Sequence, residues 1–194
     1  MQNPAKEITS VVLQLTATSS PDVQKATIER YMTSDVGFRH PVCSITPGPN
    51  SRDGLLGIYQ WYRVLSPKID IKVESIVFDA EKCVIYLEAV QWFRLFFLPI
   101  RPAPSRLVIR LTLRKENELY YISLQEDFYH TDDFMALLLP PAVPFVRLGL
   151  SIAGFTSDVL AKSAQVLGFW RPTGNVAAHP DDADVGLYDS RKSA

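Results

Sequence analysis

The hydrophobic period changes once along this chain, and that change restricts the fold more than any other feature. Up to Leu65, apolar residues recur every three or four positions. From Ile69 to Tyr129 they alternate with polar ones. A 3.6-residue period buries one face of a helix, and a two-residue period buries one face of a strand. Helices and strands therefore occupy separate stretches, which predicts an α+β fold with hairpin-linked, mainly antiparallel strands.

Turn chemistry divides the helical part. Ile8, Val11, Val12 and Leu15 form one stripe over residues 4–16. Ser20 before Pro21 is an N-cap with proline at the first helical position, so a second helix runs to about Met32. Residues 36–45 read as a short extended piece limited by Pro41 and Pro47. Ser51 is placed to cap a third helix in which Leu55, Ile58, Tyr59, Tyr62 and Leu65 share a face, and Pro67 ends it. A strand begins at Ile69, and a turn follows at 79–82. A long strand runs from Cys83 to about Phe97, with a proline-broken tip at 101–104. Two more strands, around 106–114 and 119–129, complete a four-strand meander.

Composition removes several function classes. The chain has 194 residues, 47% of them hydrophobic, which excludes a mostly disordered protein. A formal charge of −1 argues against nucleic acid as partner. Two cysteines, Cys43 and Cys83, build no disulfide framework and suit a reduced, intracellular compartment. No zinc ligand spacing, glycine-rich phosphate loop or serine elbow is present, so neither metal nor cofactor is expected. The N-terminus carries no secretory signal, and no uninterrupted run of about 20 apolar residues gives a simple membrane span.

Three helices followed by long strands, together with two local segments, resemble a known family. The segments are Tyr31-Met32-Thr33-Ser34-Asp35-Val36-Gly37-Phe38-Arg39-His40-Pro41 and Gln125-Glu126-Asp127-Phe128-Tyr129-His130. The chain resembles the nuclear transport factor 2-like (SnoaL-like) superfamily over about residues 5–133, most of all its sigma-factor-F-like branch common in fungi. The resemblance implies a cone-shaped α+β fold, in which three N-terminal helices close a pocket in a curved sheet. It also implies a hydrophobic C-terminal extension. The superfamily includes isomerases, dehydratases, epoxide hydrolases and non-enzymatic binding domains, so the resemblance leaves activity open.

Within such a pocket His40, Asp127 and Tyr59 are the candidate catalytic groups, because burial moves carboxyl and imidazole pKa values towards neutrality. Candidate ligand contacts are Tyr31, Phe38, His40, Tyr59, Tyr62, Tyr86, Glu88, Trp92, Arg110, Gln125 and Asp127. Each has a structural alternative. Asp35 follows a helix end and suits bonds to local backbone N–H groups. Glu88 is expected to pair with Arg110 across strands. Alternation puts Tyr121, Ser123, Gln125, Asp127 and Tyr129 on one face, where a salt bridge to a sheet arginine is the expected role of Asp127. The aromatic residues suit a sterol- or acyl-sized ligand, or equally fill the core.

Two apolar segments lie beyond the meander's needs. Residues 92–102 put Phe96, Phe97 and Leu98 among Arg94, Arg101 and Arg106, a mix suited to lipid headgroups unless the tail covers it. Residues 134–170 carry Leu138, Leu139, Phe145, Leu148, Ile152, Phe155 and Trp170, with a proline break at 140–144. A polar stripe of Arg147, Ser151, Asp158, Lys162 and Gln165 leaves most of the helix circumference apolar. This segment inserts in a membrane or lipid-droplet surface, packs on the domain, or makes a homodimer. The expected organisation is a domain at 1–133, an extension at 134–171 and a flexible tail at 172–194. The leading expectation is non-catalytic binding of an apolar, lipid-like molecule at an intracellular membrane surface. The alternatives are an isomerase, dehydratase or hydrolase acting on an apolar small molecule, and a homodimerisation module without ligand.

Overall fold

A computed structural model describes residues 1–171; the expected tail at 172–194 lies outside the described residues. Met1–Leu148 forms one compact unit, and a second begins at Gly149.

The first two helices start where their caps place them. In α1 (Pro4–Thr16), Asn3 Oδ1 accepts the Lys6 N–H at 3.3 Å, and Ile8, Val11, Val12 and Leu15 are all buried. In α2 (Pro21–Tyr31), Ser20 Oγ accepts the Val23 N–H at 3.4 Å. No loop follows. The chain enters β1 (Met32–His40) directly and turns at Pro41 into the short β2 (Cys43–Ile45). The single extended piece expected at 36–45 is thus a hairpin. In α3 (Ser51–Leu65) the N-cap is Asn50, in the left-handed region with φ 64°, rather than Ser51. Ser51 is the first helical residue, and its buried hydroxyl has no partner. Leu55 and Tyr59 are buried on the expected face, with Ile58, Tyr62 and Leu65 half-buried.

The meander is β3 (Ile69–Asp79), β4 (Val84–Phe93), β5 (Pro104–Glu116) and β6 (Leu119–Phe128). Its hairpins are antiparallel, and β1 joins parallel to β6, so one six-stranded mixed sheet runs β2-β1-β6-β5-β4-β3. The helix α1 packs on β3 and α3 on β1. Between them and the sheet lies the core, with Ile8, Ile28, Phe38, Leu55, Ile85, Leu87 and Ile122 at most 2% exposed.

The fourth strand stops at Phe93, earlier than its apolar pattern suggests. The Arg94 N–H donates to the buried Ser66 Oγ at 3.0 Å, and the Phe96 N–H to the Leu65 carbonyl at 2.9 Å. These bonds draw the chain off the sheet towards the end of α3, so residues 94–103 form a loop. A second irregularity lies in β6, where Thr112 pairs with Leu124 but Leu113 with Ile122, which makes Ser123 an extra, bulged residue.

Beyond residue 133 the chain continues in the first unit. Ser105 Oγ donates to the Asp133 carbonyl at 2.8 Å, and Leu137 of α4 (Thr131–Leu138) is buried with Ile69 and Phe93. A 3₁₀ turn at Pro140–Ala142 leads into α5 (Val143–Val166).

Candidate active site

A cavity of about 60 Å³ lies between α1, α3 and the sheet. That is room for a few waters or one small organic group, less than a whole sterol needs. Most of its wall is apolar: Ile8, Val11, Val12 and Leu15 from α1, Ile69, Ile71 and Phe93 from β3 and β4, Leu107, Ile109 and Leu111 from β5. The polar groups come chiefly from β6, β1 and α3.

The alternation of β6 brings Gln125, Asp127 and Tyr129 to the cavity together, and the Ser123 bulge turns Ile122 to the same side. The Tyr59 hydroxyl donates to Gln125 Oε1 at 2.9 Å, and Gln125 Nε2 donates to Asp127 Oδ1 at 3.0 Å. A glutamine can relay in this way because its amide has both an acceptor and a donor end. Among the described residues no protein donor reaches the second Asp127 oxygen, and no cation pairs with the carboxylate. Burial pushes the Asp127 carboxyl up to about 7.

His40 ends β1 and projects among aromatic rings. It stacks on Phe38 at 6.2 Å between centroids and meets Tyr62, Tyr129 and Phe134 edge-on. The Tyr62 hydroxyl lies 3.2 Å from its Nε2. Burial pushes the imidazole down to about 4, so His40 is neutral at pH 7. Tyr59, Tyr62 and Tyr129 are raised by the same desolvation and keep their protons. Gln91 Nε2 donates to the Tyr129 hydroxyl at 2.7 Å. The site thus holds one group that titrates near neutrality, among neutral donors and acceptors and one guanidinium, Arg63, that makes no ion pair with it.

Phe38, His40, Tyr59, Tyr62, Gln125 and Asp127 therefore meet at one cavity, while the other expected contacts do not line it. Tyr31, half-buried, sits under the Arg30 guanidinium, 5.2 Å from its ring centroid. Tyr86 and Glu88 point to the exposed side of β4, and Trp92 is half-buried beside Asp70 and Pro104. The Glu88–Arg110 pair does not form, because the register sets Glu88 opposite Val108. Arg110 stands opposite Glu126 and bonds it, and Arg39 reaches the other Glu126 oxygen at 3.0 Å. The salt bridge expected for Asp127 thus belongs to its neighbour on the opposite face. Asp35 pairs with Arg114 at 3.0 and 3.1 Å instead of local backbone, and that guanidinium holds its carboxyl down at about 2.

Gln91, Tyr129, Arg63 and the α1 stripe were absent from the expected ligand contacts. Gln91 could have been found as the lone polar residue on the inner face of β4, between Ala89 and Phe93. The α1 stripe has no such signal, since a cavity wall and a packed core ask for the same residues.

No cluster of three or more His, Cys, Asp or Glu with metal-ligand geometry exists among the described residues.

Helices packed on a six-stranded mixed sheet around a largely apolar pocket are the architecture of nuclear transport factor 2-like proteins. Solved structures share it. An NTF2-like protein from Anabaena variabilis aligns with TM-score 0.52 at 12% identity, over 66% of this chain and 88% of its own. A SnoaL-like family protein from Agrobacterium tumefaciens strain C58 gives 0.51 at 10% identity, over 65% and 97%. SalBIII, an epoxide hydrolase/cyclase-like enzyme with a role in pyran ring formation in salinomycin, gives 0.50 at 14% identity, over 69% and 97%. At such identities the likeness is one of fold. No curated protein matches the chain. The SigF NTF2-like domain matches residues 1–169, and the chain belongs to that family.

Proposed function

We propose that this protein binds a small, mainly apolar molecule in the cavity and moves a proton to or from it through Asp127. The observation that carries the reading is the state of that carboxyl. It is half-buried in an apolar wall, pairs with no cation among the described residues, holds a single amide donor, and is raised by desolvation to about 7. A general base or acid works best with its pKa near the working pH. A carboxylate kept only for structure would sit as Glu126 does, between two arginines.

In this reading the Tyr59–Gln125 relay fixes the orientation of Asp127. Neutral His40, against the Tyr62 hydroxyl, supplies a hydrogen bond to a polar atom of the ligand. The reaction class is proton transfer: enolisation, dehydration or epoxide opening on an apolar small molecule. The test is proton exchange into a cyclic ketone such as cyclohexanone in D₂O, followed by NMR. The wild type should accelerate α-proton exchange above the buffer rate, with the rate rising through pH 7, and Asp127→Asn should remove the acceleration. Ketone bound with no acceleration refutes the reading and leaves non-catalytic ligand binding.

Attachment to an intracellular membrane surface is a second reading, favoured by separate observations in each unit. In the first, Phe96 and Phe97 are 63% and 58% exposed at the 94–103 loop, among Arg94, Arg101 and Arg106. Leu98 and Leu138 instead line a small cleft with Arg94 and Arg101, and Leu139, Phe145 and Leu148 are exposed. The helix from the 3₁₀ turn through α5, which begins in the first unit and continues into the second, is long and apolar enough to cross a membrane, and its part in the second unit exposes Ile152 and Phe155, with Trp170 exposed beyond its end. Flotation of the full chain with anionic liposomes, lost in Phe96→Ser/Phe97→Ser or in Ile152→Glu/Phe155→Glu, is the expected result. Absence of flotation refutes it.

A further inference from the structure

One side chain of the cavity wall has no part in the chemistry above. Among the described residues Arg63, in the last turn of α3, is the only cation lining the cavity. It also lines a second, larger depression of about 460 Å³. That depression is bounded by Thr18, Ser19 and Ser20 from the α1–α2 connection, by Gln24 from α2, and by Gln60 and Val64 from α3. No other described residue lines both spaces. Among the described residues no carboxylate lies within 4 Å of Arg63.

The two spaces differ in kind. The inner one is mainly hydrocarbon, and it already holds a carboxyl that burial discourages from ionising. A ligand carboxylate placed there would meet the same desolvation cost, and repulsion from Asp127 whenever that group is ionised. The outer one adds hydroxyl and amide groups to an apolar wall of Pro21, Val64 and Pro67, and Ser19 and Gln60 make no side-chain hydrogen bond within the described residues. A half-buried arginine between an apolar chamber and a polar cleft suits a ligand with two unlike ends. Guanidinium recognises a planar carboxylate through paired N–H donors.

We propose that the ligand of this protein is an apolar acid, its hydrocarbon body in the inner cavity and its carboxylate held at Arg63 in the outer cleft. The inference rests on the cavity being the ligand site and names the substrate class for it. It also assigns Arg63 as the specificity-determining residue, with Ser19 and Gln60 as the accompanying donors.

The experiment is a ligand-observed NMR titration of the full chain at pH 7.5. The probes are cyclohexaneacetic acid, ionised at that pH, and 2-cyclohexylethanol, its uncharged analogue of similar size. The wild type should bind the acid about tenfold more tightly, the preference expected of one partly exposed charge-assisted contact. The preference should shrink as salt rises. Arg63→Gln should abolish it and leave the affinity for the alcohol unchanged, and Arg63→Lys should keep part of it. An alcohol bound as tightly as the acid, or a preference that survives in Arg63→Gln, overturns the assignment, and so does binding of neither probe. A wild type that exchanges the α-protons of cyclohexanone yet shows no preference for the acid overturns this inference alone. A preference for the acid without any proton exchange supports it while the catalytic reading fails.

Discussion

Replacing Asp127 by asparagine removes one ionisation and keeps the shape and the acceptor for Gln125 Nε2. The consequence for stability follows from linkage. The folded-state pKa of Asp127 is raised from 3.8 to about 7. Its contribution is therefore fully present below pH 3.8 and is lost as pH rises to 7. At about 1.36 kcal/mol per unit, the ionised carboxylate destabilises the fold by about 4 kcal/mol above pH 7, and about 3 kcal/mol of that appears between pH 5 and 8. Asp127 is only half-buried and keeps part of its hydration, so these are upper figures. His40 acts in the opposite direction. Its pKa is lowered from 6.5 to about 4, so its contribution is intact above 6.5 and lost as pH falls towards 4, with about 2 kcal/mol gone at pH 5. The two groups nearly cancel in the wild type, whose stability should be almost flat between pH 5 and 8. The Asp127→Asn protein keeps only the histidine term. It should be more stable than the wild type at pH 8, and should lose about 2 kcal/mol on going to pH 5. Urea unfolding of both proteins across this range measures the difference. Parallel curves would mean that Asp127 ionises at an ordinary pKa, and the argument from burial would be refuted.

Three further substitutions probe the frame around the site. Glu126→Gln leaves Arg110 without its carboxylate partner and should cost about 1–3 kcal/mol, whereas Arg39→Ala, at a well-exposed guanidinium, should cost less than about 1 kcal/mol; thermal unfolding compares them. Gly37→Ala puts a methyl 2.8 Å from Pro47 Cγ and 2.9 Å from Leu124 Cδ1, so the β1–β6 contact must shift, and the urea midpoint should fall by the equivalent of about 1–3 kcal/mol. Ser66→Ala removes the acceptor for Arg94 and a donor to the Lys68 carbonyl; the Arg94 amide should exchange its hydrogen faster, and stability should drop by about 1–3 kcal/mol.

The parts of the fold legible in the sequence are those settled by local chemistry. The α1 stripe and the Ser20–Pro21 start place two helices to within a residue, because caps and periodicity act over one or two turns. The grouping of Gln125 with Asp127 and Tyr129 follows from strand alternation alone. What escaped depends on distant groups. The end of β4 is set by Ser66, 28 residues away in sequence. The partner of Arg110 is set by hairpin register, and a shift of two residues separates Glu88 from the residue opposite that arginine. The Ser123 bulge leaves no mark in the hydrophobic pattern, since Ile122 and Leu124 are both apolar. The cavity itself is a gap between well-packed elements, and nothing in the residues lining α1 distinguishes a wall from a filled interior.

The bulge at Ser123 gives β6 two reading frames. Before it the inward positions are even-numbered, as at Ile122; after it they are odd-numbered, as at Gln125 and Asp127. A regular ladder that kept Ser123 and paired it would force a single frame on the whole strand. If Ile122 stayed inside, Asp127 would turn out to solvent and Glu126 would enter the cavity, stripped of both arginines. If Asp127 stayed inside, a side chain now 1% exposed would be pushed into water. One unpaired serine therefore lets this strand keep its core and its chemistry on the same side, and deleting it would keep them together too, because Ile122, Leu124 and Gln125 would then alternate as neighbours.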